Sequence, residues 1–161
     1  MSLPGIMAWI ETLPFSVAIA ESSLLFPIIE TVHVLALVVV VGSVAMIDVR
    51  LLYLGSRQRA VSELTSNVLR WTWVAFAVAA VAGALMFCSN ATMYYRNLPF
   101  QVKLVCIVLA GANMLTFHVI TARGIAHWDR GPPPWPVRLA GALSLTLWTA
   151  VVAAGRWIGF T

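Results

Sequence analysis

Charge is scarce in this sequence. Of its 161 residues only 10% are Asp, Glu, Lys or Arg, against roughly 25% in a soluble domain. Hydrophobic residues make up 61% and the mean hydropathy is +0.91. A soluble fold of this length has no interior large enough to hide that much apolar surface, whereas a bilayer solvates it. Cysteine is almost missing. Cys88 and Cys106 stand at the end of one apolar run and inside another. The absence of CxxC and CxxCH argues against a thiolate zinc site and against covalently attached c-type haem, and there is no disulfide framework, though one disulfide between the two stays open. No Lys or Arg precedes Arg50, so the basic start of a secretory signal peptide is lacking. GxSxG, HExxH and Walker patterns are absent, which removes the common hydrolase and nucleotide classes. The formal charge is +4, but the ten basic residues are scattered over connections. A nucleic-acid partner needs a basic cluster to neutralise a row of phosphates, so none is expected.

What is present is a set of long apolar runs. Spans are expected at about 26–47, 71–88, 101–121 and 139–158, which predicts an all-α integral membrane four-helix bundle forming a single transmembrane domain over 1–161. Ahead of them, LPGIMAWIETLPFSVAIA is short and interrupted by Pro14. It reads as a short interfacial helix, with Trp9 and Phe15 suited to the membrane surface. Pro27 suits the first turn of the first span, and that helix is expected to run on through DVRLLYLG to a stop at Gly55. The polar connections SRQRAVSELTSNVLR and GIAHWDRGPPPWPVR separate the spans, the second stiffened by three consecutive prolines.

Arg50, Arg57, Arg59 and Arg70 mark the first connection, and Arg123, Arg130 and Arg138 the third; the second has only Arg96 and Lys103. By the positive-inside rule the first and third connections are cytoplasmic. In a bacterial inner membrane both termini are then periplasmic. Alanine- and glycine-rich faces on spans two to four favour a homo-oligomer.

The stretch ESSLLFPIIETVHVLALVVVVGSVAMIDVRLLYLG resembles the opening of a group of small, uncharacterised bacterial inner-membrane proteins. WTWVAFAVAAVAGALMF, NLPFQVKLVCIVLAGANMLTFH and the ending GRWIGF are similar to later blocks of that group, so the resemblance covers most of the chain from Glu21 onward. Through TVHVLALVVVVGS the sequence also has a looser likeness to copper-resistance-D-type proteins and the membrane protoporphyrinogen oxidase family. That likeness implies histidines within apolar helices and, for the oxidase family, an association with haem.

Polar side chains inside the apolar runs are the candidates for function, because a polar group in hydrocarbon needs a partner or a use. His33 and His118 are the expected metal ligands, as axial imidazoles to haem b. The structural alternative for each is a hydrogen bond to a serine or a backbone carbonyl. Glu30 lies three residues before His33, on about the same helix face. His33 is six residues past Pro27 and His118 seventeen past Gln101, a difference of eleven residues, or roughly 16 Å at 1.5 Å per residue. One haem clamped by both within a chain is therefore disfavoured. Two haems per chain, or haems shared between subunits, fit the depths better, with second ligands from a neighbouring subunit, a methionine, or nothing. Haem propionates would be served by Lys103 and Arg156 at one end and by Arg50, Arg123 and Arg138 at the other, where the alternative is that these cations snorkel to the interface. His127 reads as a surface residue, and Asn113 as a helix–helix hydrogen bond. Asp48, at a helix C-terminus that disfavours an anion, is expected to pair with Arg50 or Arg123, or to serve a proton or quinol site.

The expected function is thus a haem b-binding protein that transfers electrons within or across the inner membrane, exchanging them with quinone or a redox partner protein. The alternatives are a copper or small-solute permease, with His33, Glu30 and Asp48 lining the route, and a non-catalytic membrane subunit. The methionines do not repeat at one helical spacing, which argues against a copper relay.

Overall fold

The computed structural model describes residues 2–54, 61–121, 128–129 and 131–160. Among these there is no strand. The chain is all-helical and passes through the membrane several times: four helices, Leu25–Leu51, Val68–Ser89, Leu98–Val119 and Trp135–Phe160, have the length and hydropathy of membrane spans. They lie on the four expected runs and extend beyond most of their limits, because Leu, Val and Trp at the ends continue the helix into the interface.

The first departure from expectation is at the N-terminus. In place of one interfacial helix there are two, α1 (Leu3–Glu11) and α2 (Pro14–Glu21), bent by 68°. Pro14 has no N–H to give and holds Leu13 extended, at ψ 140°, so one helix must end before it and the next can begin on it. Glu11 Oε1 accepts a 2.7 Å hydrogen bond from the Thr92 backbone N–H. That fastens the α1–α2 pair over the end of the bundle where the chain turns through α5 (Ala91–Arg96).

The spanning helices are α3 (Leu25–Leu51), α4 (Val61–Ser89), α6 (Leu98–Thr116, continued by a π-helical turn Phe117–Thr121) and α7 (Trp135–Trp157). Thr72, Ala75, Ala79 and Ala82 of α4 are buried at spacings of three and four, a stripe of small side chains that lets α3 approach closely. On α7, a Cβ added at Gly141 would lie 3.0 Å from Leu51 Cβ and 3.3 Å from the Asp48 backbone oxygen, so α3 crosses α7 there almost backbone to backbone. Helix α6 packs on α7, and Asn113 Nδ2 donates to the Ala140 backbone oxygen at 3.0 Å, a helix–helix bond as expected. The packing order is thus α4, α3, α7, α6. Helices α4 and α6, the two ends of that series, scarcely meet.

Each end of the bundle is closed by aromatic residues. At the α5 end Phe87, Tyr94 and Phe100 stack at 5.4–6.3 Å, and Asn97 Oδ1 caps α6 by accepting from the Phe100 N–H at 2.9 Å. At the other end Leu51, Trp128 and Val137 form a buried cluster with Ile47 and Phe117 against it. Here α3 does not run on to Gly55, which lies outside the described residues. It stops at Leu51, with the Tyr53 N–H bonded to Arg50 O and the Leu54 N–H to Val49 O. This is a Schellman end whose left-handed position is held by Tyr53 (φ 62°) rather than glycine. The Arg50 guanidinium lies 5.9 Å over that tyrosine ring, which favours a side chain at a position where glycine would be easier.

Candidate functional site

The polar residues of the spans fall into two layers. The first lies toward the α5 end. His33 Nδ1 donates to the Ala79 backbone oxygen at 2.7 Å, a carbonyl left open by the small-residue stripe of α4. A carbonyl only accepts, so Nδ1 carries the proton and Nε2 is the acceptor nitrogen. Lys103 Nζ lies 3.4 Å from Nε2 and donates toward it. Glycines make the room: a Cβ at Gly83 would sit 3.0 Å from His33 Cε1, and one at Gly155 would sit 3.4 Å from Lys103 Nζ. His33 is therefore wedged between α3 and α4, with its remaining nitrogen covered from α6. Glu30, one helical turn away, is exposed. Its charge reaches Tyr94 in α5, whose phenol is held above its usual range first by burial and then by that carboxylate.

The second layer lies some 20 Å away. From Lys103 to His118 is fifteen residues along α6, about 22 Å at 1.5 Å per residue. Here all four spanning helices surround a cavity of about 300 Å³, in the gap where α4 and α6 fail to meet. Its wall is mostly apolar and aromatic, with Trp73, Phe76, Phe117 and Trp148, and it contains Asp48, Asn113, Ser144 and His118. His118 opens the π-helical turn and is exposed. Its Nδ1 donates to the Met114 backbone oxygen at 2.9 Å, so the proton is on Nδ1 and Nε2 keeps its lone pair. Asp48 is 4% exposed. Ser144 lies beside its carboxylate on the same cavity wall, while Oδ2 is buried with no hydrogen-bond partner among the described residues. The Gly141 crossing creates this pairing. Gly141 and Ser144 are one turn apart on α7, as Asp48 and Leu51 are on α3, so the contact at Gly141 brings Ser144 to the carboxylate.

Between the layers the buried residues are apolar: Val40, Ala110, Leu147 and Val151.

The cations sort by surroundings. Arg50, expected to partner Asp48, is 2% exposed. It donates from Nη2 to the Asp129 backbone oxygen at 3.0 Å, tying the end of α3 to the segment ahead of α7. Arg138 is exposed near the start of α7. Arg156, exposed at the other end, lies 5.2 Å over the Phe160 ring. Arg123 and His127 lie outside the described residues, as do Arg57, Arg59 and Arg130. Cys88 and Cys106 are not disulfide-bonded. No group of three His, Cys, Asp or Glu side chains converges on a point among the described residues.

Sequence reading singled out His33, Lys103, Asp48, Asn113 and His118, and set Lys103 at the His33 end as a propionate cation, without anticipating the direct contact between the two. Their similar depth, each within two or three turns of one end of its span, was the available signal. Ser144 and Gly141 were missed, being common residues whose meaning comes from what crosses them.

The chain belongs to a family described as a family of unknown function, DUF6644, which matches residues 8–161. No curated protein and no solved structure matches it.

Proposed function

We propose that the protein transfers electrons within the membrane, with its redox group in the cleft between α4 and α6 and His118 as the contact. The observation that carries this reading is an imidazole nitrogen left free by the Nδ1 bond, on the wall of an apolar, aromatic cavity enclosed by the four spanning helices.

Haem b suits the donor chemistry there. His118 would offer it one nitrogen, and its Nδ1 bond to a backbone carbonyl fixes the ring, the usual support for a metal-bound histidine. Exposed Arg138 provides a cation for propionates on the same side. A haem held this way would supply reversible one-electron transfer. The site at His33 is different: a haem on Nε2 would have to displace Lys103 and open the packing at Gly83. We therefore place the haem at His118 and assign the His33–Lys103 pair to holding α3, α4 and α6 together. The likeness of TVHVLALVVVVGS to haem-associated membrane oxidases agrees with the class of function. The arginine asymmetry agrees with an inner-membrane protein whose termini are periplasmic, and the alanine- and glycine-rich faces with a homo-oligomer.

The permease reading has less support. A route for copper or a polar solute needs polar lining from end to end, and Val40, Ala110, Leu147 and Val151 interrupt it.

The test is a visible spectrum of detergent-purified protein from haem-sufficient cells, oxidised and reduced. A Soret band and a sharp reduced α band are expected, lost in His118→Ala and kept in His33→Ala. A colourless, folded protein removes the haem assignment, and a band lost only in His33→Ala moves the haem to the opposite end.

A further inference from the structure

The gap between α4 and α6 is bridged near the α5 end. Along its length α6 packs on α7 and scarcely meets α4, yet Lys103 of α6 reaches across to His33 of α3, which is itself bonded to α4. From Ala79 O through the imidazole to Lys103 Nζ the contacts are 2.7 Å and 3.4 Å. Lys103 stands one turn beyond Ile107 of the cavity wall, so this chain of contacts closes over that end of the gap. Its two links differ in kind. The bond to Ala79 uses the Nδ1 hydrogen, whereas the bond to Lys103 uses the one lone pair left on the ring.

That difference makes the bridge sensitive to acid. A second proton on the ring goes to Nε2 and removes the acceptor. The amine is the stronger base and is charged first, so the new N–H faces an ammonium, which has no lone pair to offer. Two like charges then stand 3.4 Å apart in half-buried positions. The Nδ1 bond needs only its hydrogen and survives. Both residues lie within about two turns of the ends where α3 and α6 begin, so a released lysine can reach the interface. Among the described residues, the other ionisable groups around the pair are few. On α3 Glu30 is exposed one turn away. Helix α5 brings Tyr94, buried in the aromatic cluster, and exposed Arg96. Helices α4 and α6 bring the thiols of Cys88 and Cys106, five and three residues from Gly83 and Lys103. Helix α7 lays Gly155 against Lys103, with Arg156 over Phe160, and α2 ends in exposed Glu21.

We propose that the His33–Lys103 pair is an acid-released clasp: protonation of Nε2 frees α6 from the α3–α4 pair at the α5 end and widens the gap between α4 and α6. His33 stays on Ala79, and the far half of α6 stays on α7 through Asn113. What is regulated is access to the cleft, independently of what the cleft binds.

The experiment measures two distances by pulsed electron paramagnetic resonance on the full-length protein in lipid nanodiscs. The pH runs from about 8 to about 4.5, on either side of the ordinary imidazole value of about 6.5. Cys88→Ser and Cys106→Ser clear the background. One spin-labelled pair is Ala84→Cys on α4 with Val105→Cys on α6, both exposed positions. The other is Leu35→Cys on α3 with Ala84→Cys. The first distance should lengthen in acid by about 2 Å, the scale of a helix shift, and the second should not move. His33→Gln keeps a donor and an acceptor but takes up no proton, and should hold the first distance at its high-pH value throughout. Lys103→Met should give the longer distance at both ends of the range. A first distance that ignores pH in the wild type overturns the proposal. A response that survives in His33→Gln overturns the assignment to His33 and moves it to a carboxylate such as Glu30. A Lys103→Met variant as closed as the wild type overturns the clasp itself. If His33→Gln does not fold, the wild-type series and Lys103→Met still decide.

Discussion

Replacing Gly141 by alanine should open the crossing that sets the second polar layer. The new Cβ would meet Leu51 Cβ at 3.0 Å and the Asp48 carbonyl oxygen at 3.3 Å. Neither is the end of a flexible side chain, so the two helices must move apart. Inserting one carbon into a closely packed contact typically costs about 1–3 kcal/mol. Alanine returns up to about 1 kcal/mol of helix propensity, which a control removes: at Gly42, also within a span, an added Cβ has no neighbour within 4 Å, so Gly42→Ala registers propensity without a clash. The gap between the two variants should be about 2 kcal/mol, roughly thirtyfold in the unfolding equilibrium. Unfolding by titration with sodium dodecyl sulfate in mixed micelles, followed by circular dichroism, measures it. Equal stability of the two would refute the backbone-to-backbone contact and, with it, the account of how Ser144 reaches Asp48.

Two further outcomes concern the α5 end. Asn97→Ala removes the cap of α6 and should lower stability by about 1 kcal/mol in the same assay, with Asn97→Asp close to wild type; a neutral alanine variant would show that the cap bond is not formed. Tyr94 should ionise above the ordinary tyrosine value of about 10, seen as the part of the tyrosinate absorbance that disappears in Tyr94→Phe. Its folded-state pKa is raised, so its contribution to stability is present below the unfolded value and lost as pH climbs through the folded one. Glu30→Gln should bring the transition down part of the way, because burial is the larger cause; no movement would mean that Glu30 is remote from the ring.

The spans were legible because hydrocarbon demands long uninterrupted apolar helices, and few other patterns meet that demand. Pro14 was visible as an interruption, but two helices rather than one followed from the extended backbone it forces on Leu13. The end of α3 was misplaced because glycine is the usual left-handed stop, and here Tyr53 takes that position under the Arg50 guanidinium. Asp48 and Arg50 look like an ion pair in sequence. Two residues apart on a helix they point in different directions, and the fold sends one to Ser144 of α7 and the other to the Asp129 carbonyl. The cleft had no sequence signature at all, since it comes from the absence of contact between α4 and α6.

The apolar belt of Val40, Ala110, Leu147 and Val151 has a consequence for the two polar layers. Among the described residues the fully buried side chains at this depth are apolar, so the two polar layers do not touch through the core. The two layers are therefore separate sites, and a change of charge in one should leave the hydrogen bonds of the other in place.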